Sequence, residues 1–160
     1  TSAQYLEKVE LLRKTFQNPA ITTDVIVGFP GETEAEFAET REFLERVGFY
    51  EMHIFKYSRR KGTRADLMPD QIPEQVKTAR SNCLLALEQE MSGRYRDTFA
   101  GKEVPVLFEE RKEVEGKQYW VGHTPEYVTV AVESNEDLTN RIVKVVLRGR
   151  LSADVCVADL

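Results

Sequence analysis

The chain has 160 residues, 41% of them hydrophobic, which is enough for one domain or two small ones with a real core. The formal net charge of -5 excludes a protein coated in basic surface but not one with a local basic patch. The two cysteines, Cys83 and Cys156, lack metal-ligand spacing and are interpreted as core residues. The absence of a signal-peptide pattern or a membrane-spanning stretch favours a cytoplasmic protein.

Helices and strands are predicted to alternate in the first part of the chain. The predicted elements are a helix capped by Ser2, a strand over 21–28, a helix over 33–47, a strand over 49–57 and a long helix over 74–99. The apolar stripe of the first helix comprises Tyr5, Leu6, Val9, Leu12 and Phe16, and that of the long helix Val76, Ala79, Cys83, Leu87, Met91 and Tyr95. Two strands joined through a helix predict a parallel pair with a right-handed crossover. Because two parallel strands rarely stand alone, further strands are expected upstream in the complete protein.

The stretch 22–33, Thr-Thr-Asp-Val-Ile-Val-Gly-Phe-Pro-Gly-Glu-Thr, organises this part of the chain. Its β-branched residues predict a strand covered on both faces, and Thr33 with Glu36 has the spacing of a capping box for the next helix. Ligands of parallel sheets sit at such strand ends, although an ordinary strand–turn–helix unit explains the pattern equally well. Glu34 and Glu36 are interpreted as residues favoured by the helix dipole, whereas Glu32 at the turn stays open as a functional candidate.

A basic run follows the second predicted strand. It begins with Lys56, and residues 58–64 read Ser-Arg-Arg-Lys-Gly-Thr-Arg, so that basic residues are concentrated just past the strand end. Such a run is either a solvated loop tip or a phosphate- or carboxylate-binding site beside the sheet. The sequence leaves both alternatives open.

Short strands without intervening helices are predicted from Gly101 onwards. They cover residues 103–109, 118–122, 127–133, 142–147 and 151–157. A hairpin turn is predicted at Glu115-Gly116-Lys117, and Gly149 is predicted to separate the last two strands. This pattern is typical of a small, closed, five-stranded antiparallel β-barrel. The fold class is therefore α/β plus all-β, with domains over 1–92 and 93–160.

The barrel half contains groups that could contact RNA. The basic candidates are Lys102, Arg141, Lys144, Arg148 and Arg150. Trp120, Tyr119 and Tyr127 could stack on bases or equally pack in the core. The sequence has no phosphate-binding loop with its lysine, no serine elbow and no metal-ligating cysteine set, so no catalytic residue and no metal ligand is predicted.

An ordered set of motifs resembles the radical S-adenosylmethionine methylthiotransferases. The stretch 22–33 is similar to that family's fifth-strand signature, and Tyr-Ser-Arg-Arg-Lys-Gly-Thr at 57–63 resembles its Tyr-Ser-x-Arg-x-Gly-Thr motif. Met-Pro-Asp-Gln-Ile-Pro at 68–73 resembles the linker before its last helix. Gly-His-Thr-Pro-Glu-Tyr-Val at 122–128 is similar to a segment of the TRAM domain, a small β-barrel that binds RNA. The resemblance covers almost the whole chain.

The resemblance implies the C-terminal portion of a partial (β/α)6 radical S-adenosylmethionine barrel, followed by an OB-like TRAM barrel. The family uses S-adenosylmethionine and two [4Fe-4S] clusters, and neither set of cluster cysteines occurs in this sequence. We therefore expect the chain to be an inactive part of a larger enzyme, with no cofactor bound to it alone. The missing N-terminal portion of the same polypeptide is then its first partner.

The resemblance also implies roles for particular residues. Ile26 and Gly28 would flank the adenine of the cofactor, with glycine permitting a close backbone approach, and Phe55 and Lys56 would line the same pocket. The basic residues of the barrel would hold the tRNA anticodon arm, with an affinity that falls steeply as salt rises. The unpaired edge of the truncated sheet could support dimerisation.

Three motifs favour one branch of the family. The linker at 68–73, His53 and the segment 122–127 resemble the branch that converts threonylcarbamoyl-adenosine, next to the anticodon, to its 2-methylthio form. Alternatives within the family are isopentenyl-adenosine in tRNA and an aspartate of a ribosomal protein. A hypothesis of another class is a free-standing RNA-binding protein without catalysis, which an upstream reading frame carrying the cysteine motifs would exclude.

Overall fold

The computed structural model describes residues 1–160, which divide into two units, Thr1–Ser92 and Gly93–Leu160. The first unit mixes helices with a two-stranded sheet, and the second is rich in β-structure. The elements up to the end of the third helix are α1 (Ser2–Thr15), β1 (Thr22–Val27), α2 (Glu34–Val47), β2 (Glu51–Lys56), a short 3₁₀ turn (Ala65–Leu67) and α3 (Glu74–Asp97). None of the helices combines the length and apolar composition that crossing a membrane requires.

Local signals fix the ends of α2. The Thr33 hydroxyl accepts a hydrogen bond from the Glu36 N–H at 3.2 Å, and the Glu36 carboxylate accepts the Thr33 N–H at 2.8 Å. The Thr33 hydroxyl also donates to the Glu36 carboxylate at 2.8 Å, and the hydrogen bonds from the Thr33 N–H and then from this hydroxyl lower the pKa of Glu36. Gly48 follows the helix with φ of 65°, the left-handed conformation that glycine adopts at little cost. The predicted capping box and helix end are confirmed.

The start and the buried side of α1 differ from prediction. Thr1, not Ser2, is the N-cap, and its hydroxyl accepts the Gln4 N–H. Of the predicted stripe, only Val9 is fully buried, and Phe16 at the end of the helix is largely exposed. Leu6 also packs against the core, and the Tyr5 ring lies edge-on to Phe43 of α2 with centroids 5.9 Å apart, so the contact of α1 is made by its first half, whereas Leu12 and Phe16 are exposed.

The two strands of the first unit form the predicted parallel pair. Val25, Val27 and Met52 lie on the face of the sheet that the helices cover. They pack there against the helix residues Leu44, Val47, Leu84, Leu87 and Met91. Side chains alternate along a strand, so Ile26 and Phe55 point away from that core. They are 57% and 52% exposed. The prediction that β1 is covered on both faces is wrong, because all the helices of this unit that pack on the sheet do so from one side.

The second unit is a closed barrel of five strands. They are β3 (Glu103–Val114), β4 (Lys117–His123), β5 (Thr129–Val132), β6 (Arg141–Arg150) and β7 (Cys156–Asp159). The order around the barrel is β3-β4-β5-β7-β6, and β6 closes it by pairing with β3. The predicted closure is confirmed, but the prediction that all pairs are antiparallel is wrong, since β5 and β7 run parallel. The chain reaches β7 only after β6, and β7 enters between β5 and β6.

Turns and irregularities explain the strand lengths. Glu115 and Gly116 have φ of 49° and 77°, the two positive values of a tight hairpin turn between β3 and β4, as predicted. Gly149 was predicted to separate two strands but lies inside β6, where the pairing with β7 shifts register between Leu147 and Gly149. The irregularity lets β6 continue through this point, so β7 begins later than predicted, at Cys156.

The barrel encloses its own apolar core. Its fully buried side chains include Val106, Phe108, Val128, Val130, Val132, Val145 and Leu147. Tyr119 and Trp120 are also buried, Tyr119 in a separate cluster with Val121 and Ala131, so both residues pack within the protein and neither offers an exposed ring for stacking on bases. Tyr127 is 71% exposed.

We expect the two cysteines to differ in reactivity towards a thiol reagent such as Ellman's reagent. Burial is the main factor that raises the pKa of the Cys156 thiol, and the thiolate is the reactive form. Cys83 is partly exposed and should react first, whereas Cys156 should react about a hundredfold more slowly or only after unfolding. The variant Cys83→Ser isolates Cys156, and rapid labelling of that variant in its folded state would contradict the prediction.

Candidate functional site

An apolar surface lies on the open face of the β1–β2 sheet. Ile26 and Phe55 are partners in the parallel register, so their side chains lie side by side on neighbouring strands. Phe29, just past the end of β1, is also exposed and packs edge-on against Tyr57 with ring centroids 5.2 Å apart. The predicted pair Ile26 and Phe55 is thus brought together at the carboxyl ends of two parallel strands, where such sheets bind ligands.

Gly28 ends β1 in a conformation that few other residues adopt. Its φ is 71°, and its N–H donates to the Glu32 carboxylate at 2.7 Å. A Cβ at this position would overlap the aliphatic part of the Lys77 side chain. The close approach that glycine permits here is therefore to Lys77 of α3, and its N–H already has a partner within the chain.

Two buried cations of α3 hold the loops at the strand ends. Lys77 is buried, and its ammonium group donates to the Tyr57 carbonyl at 3.0 Å, just after β2. Arg80, 4% exposed, donates to the Glu32 carboxylate at 2.6 Å and its carbonyl at 3.1 Å, just after β1. It also bonds the Glu34 carboxylate at 2.5 Å. Burial acts to lower the pKa of Arg80, but the hydrogen bonds to Glu34 and Glu32 outweigh it, so that pKa is raised.

The side-chain carboxylate and the backbone carbonyl of Glu32 therefore both accept hydrogen bonds from within the chain. Its carboxylate joins the Gly28 N–H to the Arg80 guanidinium, and this network fixes the turn between β1 and α2. The question that the sequence left open for Glu32 is answered by these contacts: it positions the turn. The sequence contains one signal for the burial of Lys77 and Arg80: they lie at helical spacing before Leu84, Leu87 and Met91, and so on the same side of α3. A search for apolar stripes misses them because they are charged.

Lys56 lies away from the open face. Its ammonium group is 2.5 Å from the Glu74 carboxylate and 3.3 Å from the Thr78 hydroxyl, both on α3. The hydrogen bond from Lys56, followed by that from Lys77, lowers the pKa of Glu74. The register partner of Lys56 in β1 is Val27, whose side chain is buried on the helix side of the sheet. Of the four residues predicted to line a cofactor pocket, Ile26 and Phe55 share the open surface.

A concavity of about 420 Å³ lies on the outside of the barrel. Ile142, Leu107 and His123 form a row across three neighbouring strands, because Leu107 is the register partner of both other residues. The His123 and Tyr127 rings are stacked with centroids 4.8 Å apart, and His123 Nδ1 lies 2.8 Å from the Glu109 carboxylate. This surface combines an exposed aromatic face with hydrogen-bonding groups at its edge, as sites for unpaired bases do.

The basic residues predicted to bind RNA are mostly paired with carboxylates in the barrel. The ion pairs are Arg141–Glu136 at 3.3 Å, Lys144–Glu103 at 3.2 Å, Arg148–Asp159 at 2.6 Å and Arg150–Asp97 at 2.9 Å. Lys102 instead lies over the Phe99 ring, 5.5 Å from its centroid. A phosphate that approached the paired residues would meet a neighbouring negative charge as well as the positive one.

No group of three or more His, Cys, Asp or Glu side chains is arranged to hold a metal ion in the chain. Cys83 lies in α3 and Cys156 in β7, and they belong to different units. The donor set that an iron–sulfur cluster requires is thus not assembled by these residues.

Sequence comparison identifies relatives for nearly the whole chain. Over 88% of its length it is 40% identical to the threonylcarbamoyladenosine tRNA methylthiotransferase of Bacillus subtilis. Over 91% of its length it is 42% identical to the tRNA-2-methylthio-N(6)-dimethylallyladenosine synthase of Syntrophotalea carbinolica, and over 96% it is 37% identical to the protein of that name in Wolbachia pipientis. The chain is homologous to tRNA methylthiotransferases. No protein-family model matches it.

The match covers about a third of each methylthiotransferase, namely 32%, 33% and 35% of their lengths. Two substrates occur among the relatives' names, at 40% and 42% identity to this chain. Because these two identities are nearly equal, they do not show which of the two substrates this chain's own enzyme modifies.

Proposed function

We propose that the chain is the C-terminal part of a radical S-adenosylmethionine tRNA methylthiotransferase and works in the cytoplasm. The unit Thr1–Ser92 would be the end of a partial (β/α)6 barrel, and the unit Gly93–Leu160 a TRAM domain that binds the anticodon arm. The observation that carries the proposal is the exposed pair Ile26 and Phe55, at the carboxyl ends of parallel strands, in a chain whose relatives modify tRNA. The remaining strands of the barrel would come from the preceding part of the polypeptide.

The open face fits one side of S-adenosylmethionine. An adenine ring is flat and largely apolar on its faces, and Ile26 and Phe55 offer adjoining apolar side chains. S-adenosylmethionine, when bound in such enzymes, supplies the radical and the methyl group. The residues of this chain would contribute contact area and exclude water, while the Glu32–Arg80 network would hold the adjoining turn in place.

The iron–sulfur clusters do not fit the residues of this chain. Its two cysteines belong to different units, and no metal-binding group is assembled. Ligands for both [4Fe-4S] clusters would have to come from outside these 160 residues.

The substrate that we propose is threonylcarbamoyl-adenosine, methylthiolated at C2. The motif resemblance at 68–73 and 122–127 supports it, whereas the identities to relatives of the two kinds favour neither substrate. Expression of the complete reading frame in a bacterial strain that lacks 2-methylthio modifications, followed by mass spectrometry of tRNA nucleosides, tests the choice. A 2-methylthio-threonylcarbamoyl-adenosine peak supports it. A product on dimethylallyl-adenosine, or no 2-methylthio nucleoside at all, contradicts it.

A charge placed on the open face should impair the full-length enzyme. Ile26→Glu would put an unpaired carboxylate against the cofactor, and we expect the KM for S-adenosylmethionine to rise about tenfold or more. Because Ile26 is 57% exposed in this chain, the thermal midpoint of the isolated 160-residue protein should change little. Leu11→Glu is the matched control, since Leu11 is 55% exposed on α1. Equal kinetics for Ile26→Glu and Leu11→Glu would contradict a cofactor contact at Ile26.

A further inference from the structure

We propose that the loop over residues 58–64 binds the sugar–phosphate backbone of RNA through Arg60, Lys61 and Arg64. We call it the cationic loop. It directly follows β2 in the unit Thr1–Ser92, and its basic residues are exposed. The inference rests on the proposed function, because RNA is taken to be the partner, and it assigns the main electrostatic contact to a different segment from the barrel residues predicted above.

The cationic loop has an uncompensated positive charge. Residues 58–64 contain four basic residues and no acidic one. Arg59 is neutralised by Asp66, whose carboxylate lies 2.9 Å from its Nε. Arg60, Lys61 and Arg64 form no ion pair. Three unpaired cations within five positions are a local exception in a chain with a net charge of -5.

Hydrogen bonds hold the cationic loop in a defined shape. The Arg60 carbonyl accepts the N–H of Thr63 at 3.1 Å and its hydroxyl at 2.9 Å, around Gly62, which has φ of 86°. The Thr63 hydroxyl in turn accepts the Asp66 N–H at 3.3 Å. Arg59 donates to the Asp66 carbonyl at 2.8 Å, which ties the start of the loop to the 3₁₀ turn after it. The three cations therefore project from a turn that needs little further ordering on binding.

The basic residues of the barrel and those of the cationic loop differ in whether carboxylates neutralise them, and this difference favours the loop as the RNA-binding surface. Four of the five basic residues predicted there have a carboxylate within 3.3 Å. A polyanion competes with these carboxylates at the barrel but has no such competitor at Arg60, Lys61 and Arg64. Because the chain as a whole is acidic, an RNA strand would be repelled from most other surfaces and directed to the cationic loop.

Binding of a fluorescein-labelled anticodon stem-loop RNA to the 160-residue chain tests the inference. Fluorescence anisotropy would be measured at 50–300 mM KCl for the wild type and for the triple variant Arg60→Gln, Lys61→Gln, Arg64→Gln. Removal of three phosphate contacts should reduce the slope of log K against log[KCl] by about 2–3 and weaken binding about a hundredfold near 0.1 M salt.

Two further variants control for charge and for location. The triple variant Lys8→Gln, Lys14→Gln, Arg41→Gln makes the same change in net charge on exposed positions of α1 and α2, and its slope should equal that of the wild type. The triple variant Arg141→Gln, Lys144→Gln, Arg148→Gln removes paired residues of the barrel and should weaken binding several-fold at most. Circular dichroism should show that all three variants fold.

The outcomes separate the inference from the proposed function. If the wild type binds and the loop variant binds equally well with an unchanged slope, the inference is overturned while RNA binding stands. If the wild type does not bind the stem-loop at 50 mM KCl, both fail for this chain. Binding of phosphatidylserine vesicles that is lost in the loop variant, with RNA binding unchanged, would show that the cationic loop is a membrane-surface contact and would also overturn the inference.

Discussion

Replacing Arg80 with methionine is expected to lower the free energy of unfolding of the unit Thr1–Ser92 by about 3–5 kcal/mol. Methionine fills a similar volume but leaves the Glu32 carboxylate, whose side chain is 13% exposed, with the Gly28 N–H as its remaining partner. The cost of a buried, uncompensated charge dominates this estimate, since the exposed pair with Glu34 contributes little. A loss of this size is a large share of the stability of a small domain.

The chain allows this change to be measured in one unit at a time. Its single tryptophan, Trp120, lies in β4 of the barrel, whereas α1 and α2 belong wholly to the first unit. In urea, the circular dichroism transition at 222 nm should therefore move to lower concentration, with a smaller shift in the fluorescence transition of Trp120. Glu34→Gln is the matched control, because the Glu34 side chain is 80% exposed, and it should cost about 0–1 kcal/mol. A cost below about 1 kcal/mol for Arg80→Met would show that the network does not hold the turn.

The substitution Gly122→Ala should have the largest effect on the barrel. The new Cβ would overlap the Leu107 carbonyl oxygen and lie 2.7 Å from Phe108 Cα. These are backbone atoms of β3, next to its register shift between Phe108 and Glu110, so they cannot move aside as a side-chain end can. We expect a loss of about 3 kcal/mol or more in the unfolding transition that Trp120 fluorescence reports.

Gly93→Ala is the control for this second substitution. Gly93 lies in α3 without a positive φ, and its added Cβ would meet the end of the flexible Arg150 side chain. Alanine also favours a helix interior by about 0.5–1 kcal/mol over glycine, so the net change should be small. If Gly122→Ala were as stable as Gly93→Ala, the close contact between β3 and β4 would have to be looser than described.

Local features were predictable from the sequence, because neighbouring residues determine them. The capping box of Thr33 and Glu36 and the hairpin turn at Glu115 and Gly116 depend on four residues or fewer. The parallel pairing of β5 with β7 was not predictable, because it joins segments that are separated by the whole of β6. Strand patterns give the number of strands in a barrel but not which of them meet last.

The candidate site was predictable in its apolar part only. Ile26 and Phe55 could be placed on one face from strand alternation and from the motif resemblance. That the face is open could not be read from Ile26 itself, since a β-branched residue suits a covered face as well as an uncovered one. Arg80 and Lys77 were missed as core residues, because their burial depends on partners that are distant in sequence, Glu32 and the Tyr57 carbonyl.

The late position of β7 has a consequence for how the barrel folds. This strand pairs with β5 on one side and β6 on the other, so until it docks both of those strands present unpaired backbone groups. The pairing of β7 with β5 joins segments on either side of β6, and such non-local contacts slow a folding reaction and lengthen the life of partly formed states. In those states the apolar interior, including Val130 and Leu147, is accessible to other chains. Newly made protein is therefore most exposed to aggregation in the interval between the formation of β6 and the docking of β7.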